Sequence, residues 1–250
     1  MTTIAELREQ VRGPVVEPGE DDYEELRLVH NGVHDRRPSL IVRATSTADV
    51  VAAVNFARGS GLDLAVRGGG HSAPGFSTCD GGVVLDLAPL NNVHVDRVRK
   101  TARTGGGATW GDFNHATHAY GLATTGGVIS TTGVSGLTLG GGVGYLARGC
   151  GLSCDNLVGA EVVTADGRIV VTSEHENEDL LWALRGGGGN FGVVTSLEFA
   201  LHDVETIYGG PMLYEVEDAP AVMRAYDDYI QEAPEQLGAC LLYTSDAADE

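Results

Sequence analysis

Five glycine tracts constrain this chain more than any other feature of its sequence. They are Gly68 to Gly70, Gly105 to Gly107, Gly126-Gly127, Gly140 to Gly142 and Gly186 to Gly189, and they hold 15 of the 36 glycines in 250 residues. Glycine is thus far above its usual frequency of roughly 7%. A hydrophobic fraction of 42% is too high for a disordered glycine-rich chain, so the tracts need a structural job. Each sits between segments of helix or strand character, which makes them loops rather than linkers. Glycine admits positive φ and close backbone approach, and successive amides in such a loop can cradle an anion. A tight turn at a sheet edge explains any one tract as well; five together point to a large ligand.

Charge narrows that ligand. Sixteen basic residues stand against 35 acidic ones, a formal net charge of -19, which argues against nucleic acid and anionic membrane surfaces as partners. The one lysine, Lys100, follows Arg99 rather than a glycine-rich loop, which excludes a Walker A P-loop. A bound phosphate would therefore be held mainly by backbone amides. Met1 to Asp22 contains no apolar run of signal-peptide length, and no stretch of about 18 apolar residues occurs. The expectation is a soluble, cytoplasmic protein.

Residues 240–250 read CLLYTSDAADE, which matches the translation of a transposon-based sequencing adapter. The expectation is that this stretch is an adapter remnant, with the natural chain continuing beyond about Ala239.

Along the chain, Asp21 to Val29 reads as a short helix and Leu40 to Arg43 as a strand. Ser46 to Asp49 forms a capping-box pattern before a helix that Gly59 and Gly61 stop. Strands follow at Leu62 to Val66, Val83 to Leu87, Val93 to Val95 and Arg99 to Thr104, then a helix from Thr109 to Ala119. Glu161 to Thr164 and Arg168 to Thr172 flank an Asp-Gly turn and predict a hairpin. A helix over Glu176 to Leu184, a strand over Val193 to Phe199, a strand over Tyr208 to Val216 and a helix over Ala219 to Ile230 complete the reading. The mixture without regular alternation predicts an α+β class with two adjoining lobes.

Three constellations need weighing. Gly187-x-Gly189-x-x-Gly192 fits a dinucleotide fingerprint, but a helix precedes it and a strand follows, the reverse of the Rossmann order. Asp112, His115 and His118 lie at i, i+3 and i+6 of one helix, where a metal site and a polar outer face are both open. Cys150 and Cys154 could be half a metal site, but with no second pair they read as reduced thiols. His71 differs from these, because it stands between three glycines and Ser72 in a loop that a ligand can approach closely.

The stretches VRGGGHSAPG, LATTGGVISTTGVSGLTLGGGVGYLARGCGLSCDNL and RGGGGNFGVVTSLEF resemble the FAD-binding domain of berberine bridge enzyme-like oxidoreductases. These belong to the p-cresol methylhydroxylase (PCMH), or vanillyl-alcohol oxidase, superfamily. The resemblance runs from about Arg37 to Val204. It implies a two-lobed α+β PCMH-type domain over residues 37–205, with lobes over about 37–96 and 97–205. An N-terminal segment (1–36) would precede it, and an incomplete substrate domain would begin over 206–239.

By position, Arg67, Gly68, Gly69, Gly70, His71, Ser72 and Gly75 correspond to the family's pyrophosphate loop, with His71 bonded covalently to the flavin 8α-methyl. The resemblance places Ser130, Thr131, Thr132, Gly133 and Gly136 along the cofactor, followed by Gly140, Gly141, Gly142 and Gly144. Gly188, Gly189, Asn190, Gly192 and Val193 approach it from the second lobe. Bicovalent members carry a cysteine where this chain has Ile129, and a histidine where it has Leu137. One covalent link is therefore expected, through His71. Thr132 falls where the family places a residue that influences oxygen access. The implied reaction is hydride transfer from a small-molecule substrate, an alcohol or sugar carbinol, to FAD, with oxygen or another acceptor reoxidising it. The family's base lies beyond Ala239, so no catalytic residue is assigned. A non-covalent flavin reductase of the same fold and a flavin-binding fragment without turnover are the alternatives.

Overall fold

The computed structural model describes residues 3–204 and 206–242. Residues 243–250, most of the stretch read as adapter translation, lie outside them.

The first lobe opens with helix α1 (Ile4–Gln10), started by a capping box between Thr3 and Glu6. Strand β1 (Val15–Val16) and the short helix α2 (Tyr23–Leu26) follow. Next come β2 (Leu40–Arg43), α3 (Thr47–Ser60), β3 (Leu64–Arg67) and β4 (Val83–Asp86). The strands form one sheet in the order β1-β2-β4-β3, with β2 and β3 both parallel to β4 and β1 antiparallel on the edge. Helix α3 begins where the sequence says, with the Ser46 hydroxyl accepting from the Asp49 amide at 3.3 Å. It ends at Gly61, whose φ of +67° closes the helix in the left-handed region.

The second lobe contains β5 (Val93–Asp96), β6 (Thr101–Gly105), α4 (Trp110–His118), β7 (Leu122–Ala123), α5 (Val134–Leu139) and α6 (Ala147–Cys150). It continues with β8 (Leu157–Val163), β9 (Ile169–Ser173), α7 (Glu178–Leu184), β10 (Val193–Ala200) and β11 (His202–Asp203). An antiparallel sheet runs β5-β6-β10-β8-β9, and β7 pairs with β11. The Asp-Gly hairpin forms as expected, with Val163 opposite Ile169 and the Thr164 amide donating to the Arg168 carbonyl at 2.9 Å.

Helix α3 packs on the parallel sheet through Val50, Ala53, Val54 and Ala57, and Val163 and Val193 of the second lobe enter that same core. The second core centres on Trp110, Phe113 and Phe199, edge-to-face with one another and fully buried.

Several elements differ from expectation, among them helices α5 and α6 and the two-residue strands β1, β7 and β11, none of which the sequence reading contains. The helix read over Asp21 to Val29 shrinks to α2, because the carbonyls of Leu26 and Leu28 turn away to bond Arg67. Helix α1 lies in a stretch the sequence reading leaves unassigned. The strand read over Tyr208 to Val216 does not form: residues 206–215 have no regular structure, and Tyr208, Met212 and Leu213 are exposed. No strand lies beside them among the described residues, and an extended segment without a partner has no ladder to join. Helix α8 (Ala219–Glu232) follows as read.

Candidate cofactor site

The site grows from the C-terminal end of β3. Arg67, its last residue, points inward and pairs with Asp86, its register partner on β4, at 3.2 Å. The same guanidinium donates to the carbonyls of Leu26 and Leu28. Its side chain is therefore a brace beneath the loop, occupied entirely within the protein.

The loop that follows folds under the polar segment 30–37. His34 Nε2 lies 2.7 Å from the Ala73 carbonyl, and Arg36 donates to the carbonyls of Gly75 and Thr78 at 3.1 and 2.8 Å. The Ser72 hydroxyl accepts from the Phe76 amide at 3.0 Å and so serves the turn. Gly70 has φ +72°, which lifts the loop toward the second lobe. Among the described residues, the amides of Gly69, Gly70, His71 and Ser72 donate to no acceptor. Four consecutive unpaired amides make a concave donor surface suited to an anion.

The second lobe meets this loop at α5. A methyl group on Gly69 would stand 2.3 Å from the Gly133 nitrogen, and Gly68 lies under the Ser135 side chain. The Ser135 hydroxyl donates to the Gly106 carbonyl at 2.6 Å. His71 sits at the junction, its Nε2 3.0 Å from Thr131 Oγ1 and its Nδ1 3.4 Å from Thr132 Oγ1. Burial first, and electrostatic repulsion from the neighbouring His30 second, lower its pKa below the ordinary 6.5, which favours the neutral imidazole.

The remaining expected residues divide by physical role. Gly144 must be small because a methyl there would lie 1.9 Å from the Gly126 carbonyl, and one at Gly142 would meet Ser153. Gly192 packs against the Val163 carbonyl, and the Val193 side chain belongs to the core. Ser130 turns its carbonyl to the Gly111 amide, and the Asn190 side chain caps the Gly187 carbonyl. Gly188 is held to glycine by its φ of +73°, in the left-handed region, whereas Gly136 and Gly189 have no local reason to be glycine, since a methyl on either would find open space. An exposed glycine inside a helix costs about 1 kcal/mol against alanine. At Gly136 the open space leaves α5 accessible to a flat or bulky group. Gly140 and Gly141 close that helix, and the turn 188–191 packs against it, so all three expected stretches converge there. Open glycines beside unpaired amides fit a cofactor that has both a diphosphate and an extended ring.

Elsewhere, Asp112 spends its carboxylate on the Thr109 capping box while His115 and His118 face solvent, the polar outer face rather than a metal site. Burial pushes the Cys150 and Cys154 thiols up, as inert reduced cysteines require. No helix among the described residues is long and apolar enough to cross a membrane.

Comparison with known proteins decides which cofactor this cradle takes. The model of a family described as FAD binding domain matches residues 38–173. The chain belongs to this PCMH-type FAD-binding family. The chain is 42% identical over 194 residues to (R)-6-hydroxynicotine oxidase of Paenarthrobacter nicotinovorans, covering 78% of this chain and 42% of that one. Among solved structures it is similar to the berberine bridge enzyme-like 1 protein of Physcomitrella patens, with TM-score 0.77 and 32% identity over 81% of this chain and 45% of that one. It is also similar to glucooligosaccharide oxidase from Acremonium strictum, described as carrying 6-S-cysteinyl, 8α-N1-histidyl FAD, with TM-score 0.74, 34% identity and 81% and 43% coverage. The chain spans about half the length of the curated relatives it matches.

His30, Asn31, His34 and Arg36 are site residues that sequence reasoning missed. The polarity of the segment 31–38 hinted at the last three, while His30 lies outside it, and the role of all four depends on where the sheet carries them.

Proposed function

We propose that this chain is the FAD-binding part of an oxidoreductase that oxidises a C–H bond of a small molecule, an alcohol or sugar carbinol, with FAD held by one covalent bond to His71. The observation that carries this reading is the placement of the His71 imidazole at the junction of the unpaired-amide loop and α5, partly exposed and faced by two hydroxyls. The chemistry that FAD supplies when bound is two-electron acceptance, a hydride from substrate followed by reoxidation with oxygen or another acceptor.

The chain's residues bind and orient. The amides of Gly69 to Ser72 hold negative charge without a lysine, and Thr131 and Thr132 set the tautomer of His71 so that one ring nitrogen keeps its lone pair. Gly136, Gly188 and Gly189 leave room for close approach. We place the FAD-binding unit over residues 37–205 and the start of a substrate domain over 206–239, and assign no catalytic base. Carbohydrate oxidases among the similar structures support a sugar carbinol as substrate class, and these together with 6-hydroxynicotine oxidase, whose named substrate has no carbinol, support oxygen as acceptor. Because the chain spans about half of those relatives, a second reading holds for it in isolation: it binds FAD without turnover.

The test is to add FAD to the purified chain, denature it in acid and view flavin fluorescence on a denaturing gel. Fluorescence that stays with the chain and disappears in His71→Ala supports the covalent reading. Complete release from the unaltered protein overturns it, and failure to bind FAD at all overturns the cofactor assignment.

A further inference from the structure

His30 lies outside every glycine tract, yet its ring lies flat on that of His71, with centroids 4.0 Å apart and planes within 12°. Its outer side is exposed, so the contact is not a by-product of core packing. The chain builds this placement from below. Asp86 holds Arg67, Arg67 holds the carbonyls of Leu26 and Leu28, and the His30 amide then donates to the Gly70 carbonyl at 3.1 Å. On His71 itself, Thr131 and Thr132 reach the two ring nitrogens with their hydroxyls at 3.0 and 3.4 Å, contacts at the ring's edge atoms rather than on its face. Hydroxyls there choose a tautomer but resist tilting of the ring only weakly. A stacked face resists it directly.

We propose that His30 is a positioning residue for flavin attachment: it holds the plane of the His71 imidazole while a ring nitrogen bonds to the flavin 8α carbon. The proposal rests on the reading of His71 as the attachment point. In that step a nitrogen–carbon bond forms, the nitrogen and the 8α-methyl each lose a proton, and two electrons remain on the flavin until oxygen removes them as hydrogen peroxide. Two imidazoles this close also disfavour a second positive charge, which keeps the His71 lone pair free; burial acts in the same direction and more strongly.

The experiment follows the gel fluorescence of the chain over time after FAD is added under air, alongside the thermal unfolding midpoint. His30→Ala is expected to slow attachment by up to about tenfold, the loss of one stacked pair, with the midpoint lowered by no more than a few degrees, so that the chain stays folded during the assay. His30→Phe, which restores a flat ring without a charge, is expected to recover the rate. Where the alanine variant is unstable, His30→Leu takes its place, since it keeps bulk but no planar face. Attachment at the unaltered rate in the alanine or leucine variant, or a phenylalanine variant as slow as alanine, overturns the role of His30. If the unaltered chain attaches no flavin while still binding it, the reading of His71 falls, and the role of His30 falls with it.

Discussion

Gly69 and Gly133 face each other so closely that a methyl group on either would stand within 2.4 Å of the other's amide nitrogen. This contact is where the loop of the parallel sheet meets α5, so the two glycines set the distance between the lobes at the cofactor site. Gly136, three residues on, has open space around it. Gly133→Ala is therefore expected to lower stability by about 1–3 kcal/mol through overpacking, a fall of several degrees in Tm for a domain this size. Gly136→Ala should instead raise the stability of the apoprotein by up to about 1 kcal/mol, since alanine favours the helix. The same substitution should weaken FAD binding, because the methyl occupies the approach to α5. Thermal melts with and without FAD check both; a Gly136→Ala variant that binds FAD unchanged would show that the cofactor does not lie against that helix.

What was legible in the sequence was what is local. Ser46 and Thr109 cap their helices, Gly61 ends one, and the Asp-Gly turn makes its hairpin, each through contacts within a few residues. His71 stood out because glycines surround it. His30 could not, since 41 positions separate it from the ring it stacks on, and the tertiary bonds of Arg67 to the Leu26 and Leu28 carbonyls and of the His30 amide to Gly70 bring them together. Helix α5 was hidden for another reason. Its six residues lie in a run of glycine and threonine with poor helix propensity, and it exists because Val134, Thr138 and Leu139 are buried against the second core. Tyr208 to Val216 failed in the opposite sense, with strand-like residues and no neighbouring strand.

Arg67 and Asp86 are nine-tenths buried partners across adjacent parallel strands, with Arg43 also reaching Asp86 at 3.1 Å. Removing the Arg67 guanidinium leaves two carbonyls unpaired and weakens the compensation of a buried carboxylate. Arg67→Ala is expected to cost about 3 kcal/mol, read as a lower urea midpoint at unchanged slope. Arg67→Lys should recover less than half of this. One ammonium cannot replace a planar fork that spans Asp86, Leu26 and Leu28. A lysine variant as stable as the original would show that charge alone, without the fork, supports the loop.

The Asp49 carboxylate fastens the N-terminal segment to α3, accepting from the amides of Arg12, Gly13 and Thr45 at 3.0, 3.2 and 2.8 Å and from the Thr45 hydroxyl at 2.8 Å. Burial raises its pKa, but the Arg12 and Thr45 hydrogen bonds outweigh that and hold it below the ordinary 3.8. A depressed folded-state pKa stabilises the protein above the unfolded value, and that contribution disappears as pH falls through the folded value. Asp49→Asn should therefore cost about 1–3 kcal/mol at pH 7. The gap between variant and original should narrow as the pH drops below about 4. Urea titrations at several pH values measure it, and a gap that stays constant down to pH 3 would mean that geometry rather than charge makes the clamp.

Ile129 is exposed in the turn that carries Thr131 to His71, two positions before the hydroxyl that touches Nε2. The family resemblance puts the cysteine of bicovalent members at this position, and the Acremonium strictum oxidase is described with both a cysteinyl and a histidyl bond to its FAD. The three cysteines before residue 240 are elsewhere, and the two nearest the glycine segment, Cys150 and Cys154, have thiols pushed up by burial. Peptide mapping of the flavinylated chain should accordingly find flavin only on the peptide that contains His71. Ile129→Cys should introduce a second attachment point. In a His71→Ala background, it is expected to restore flavin that survives acid denaturation, on a peptide containing residue 129. Leu137 stands where those members have a histidine to assist, so the restored attachment should be slow, and Leu137→His should accelerate it. Restored flavin mapped to Cys150 or Cys154 would show that the turn 128–131 does not face the cofactor.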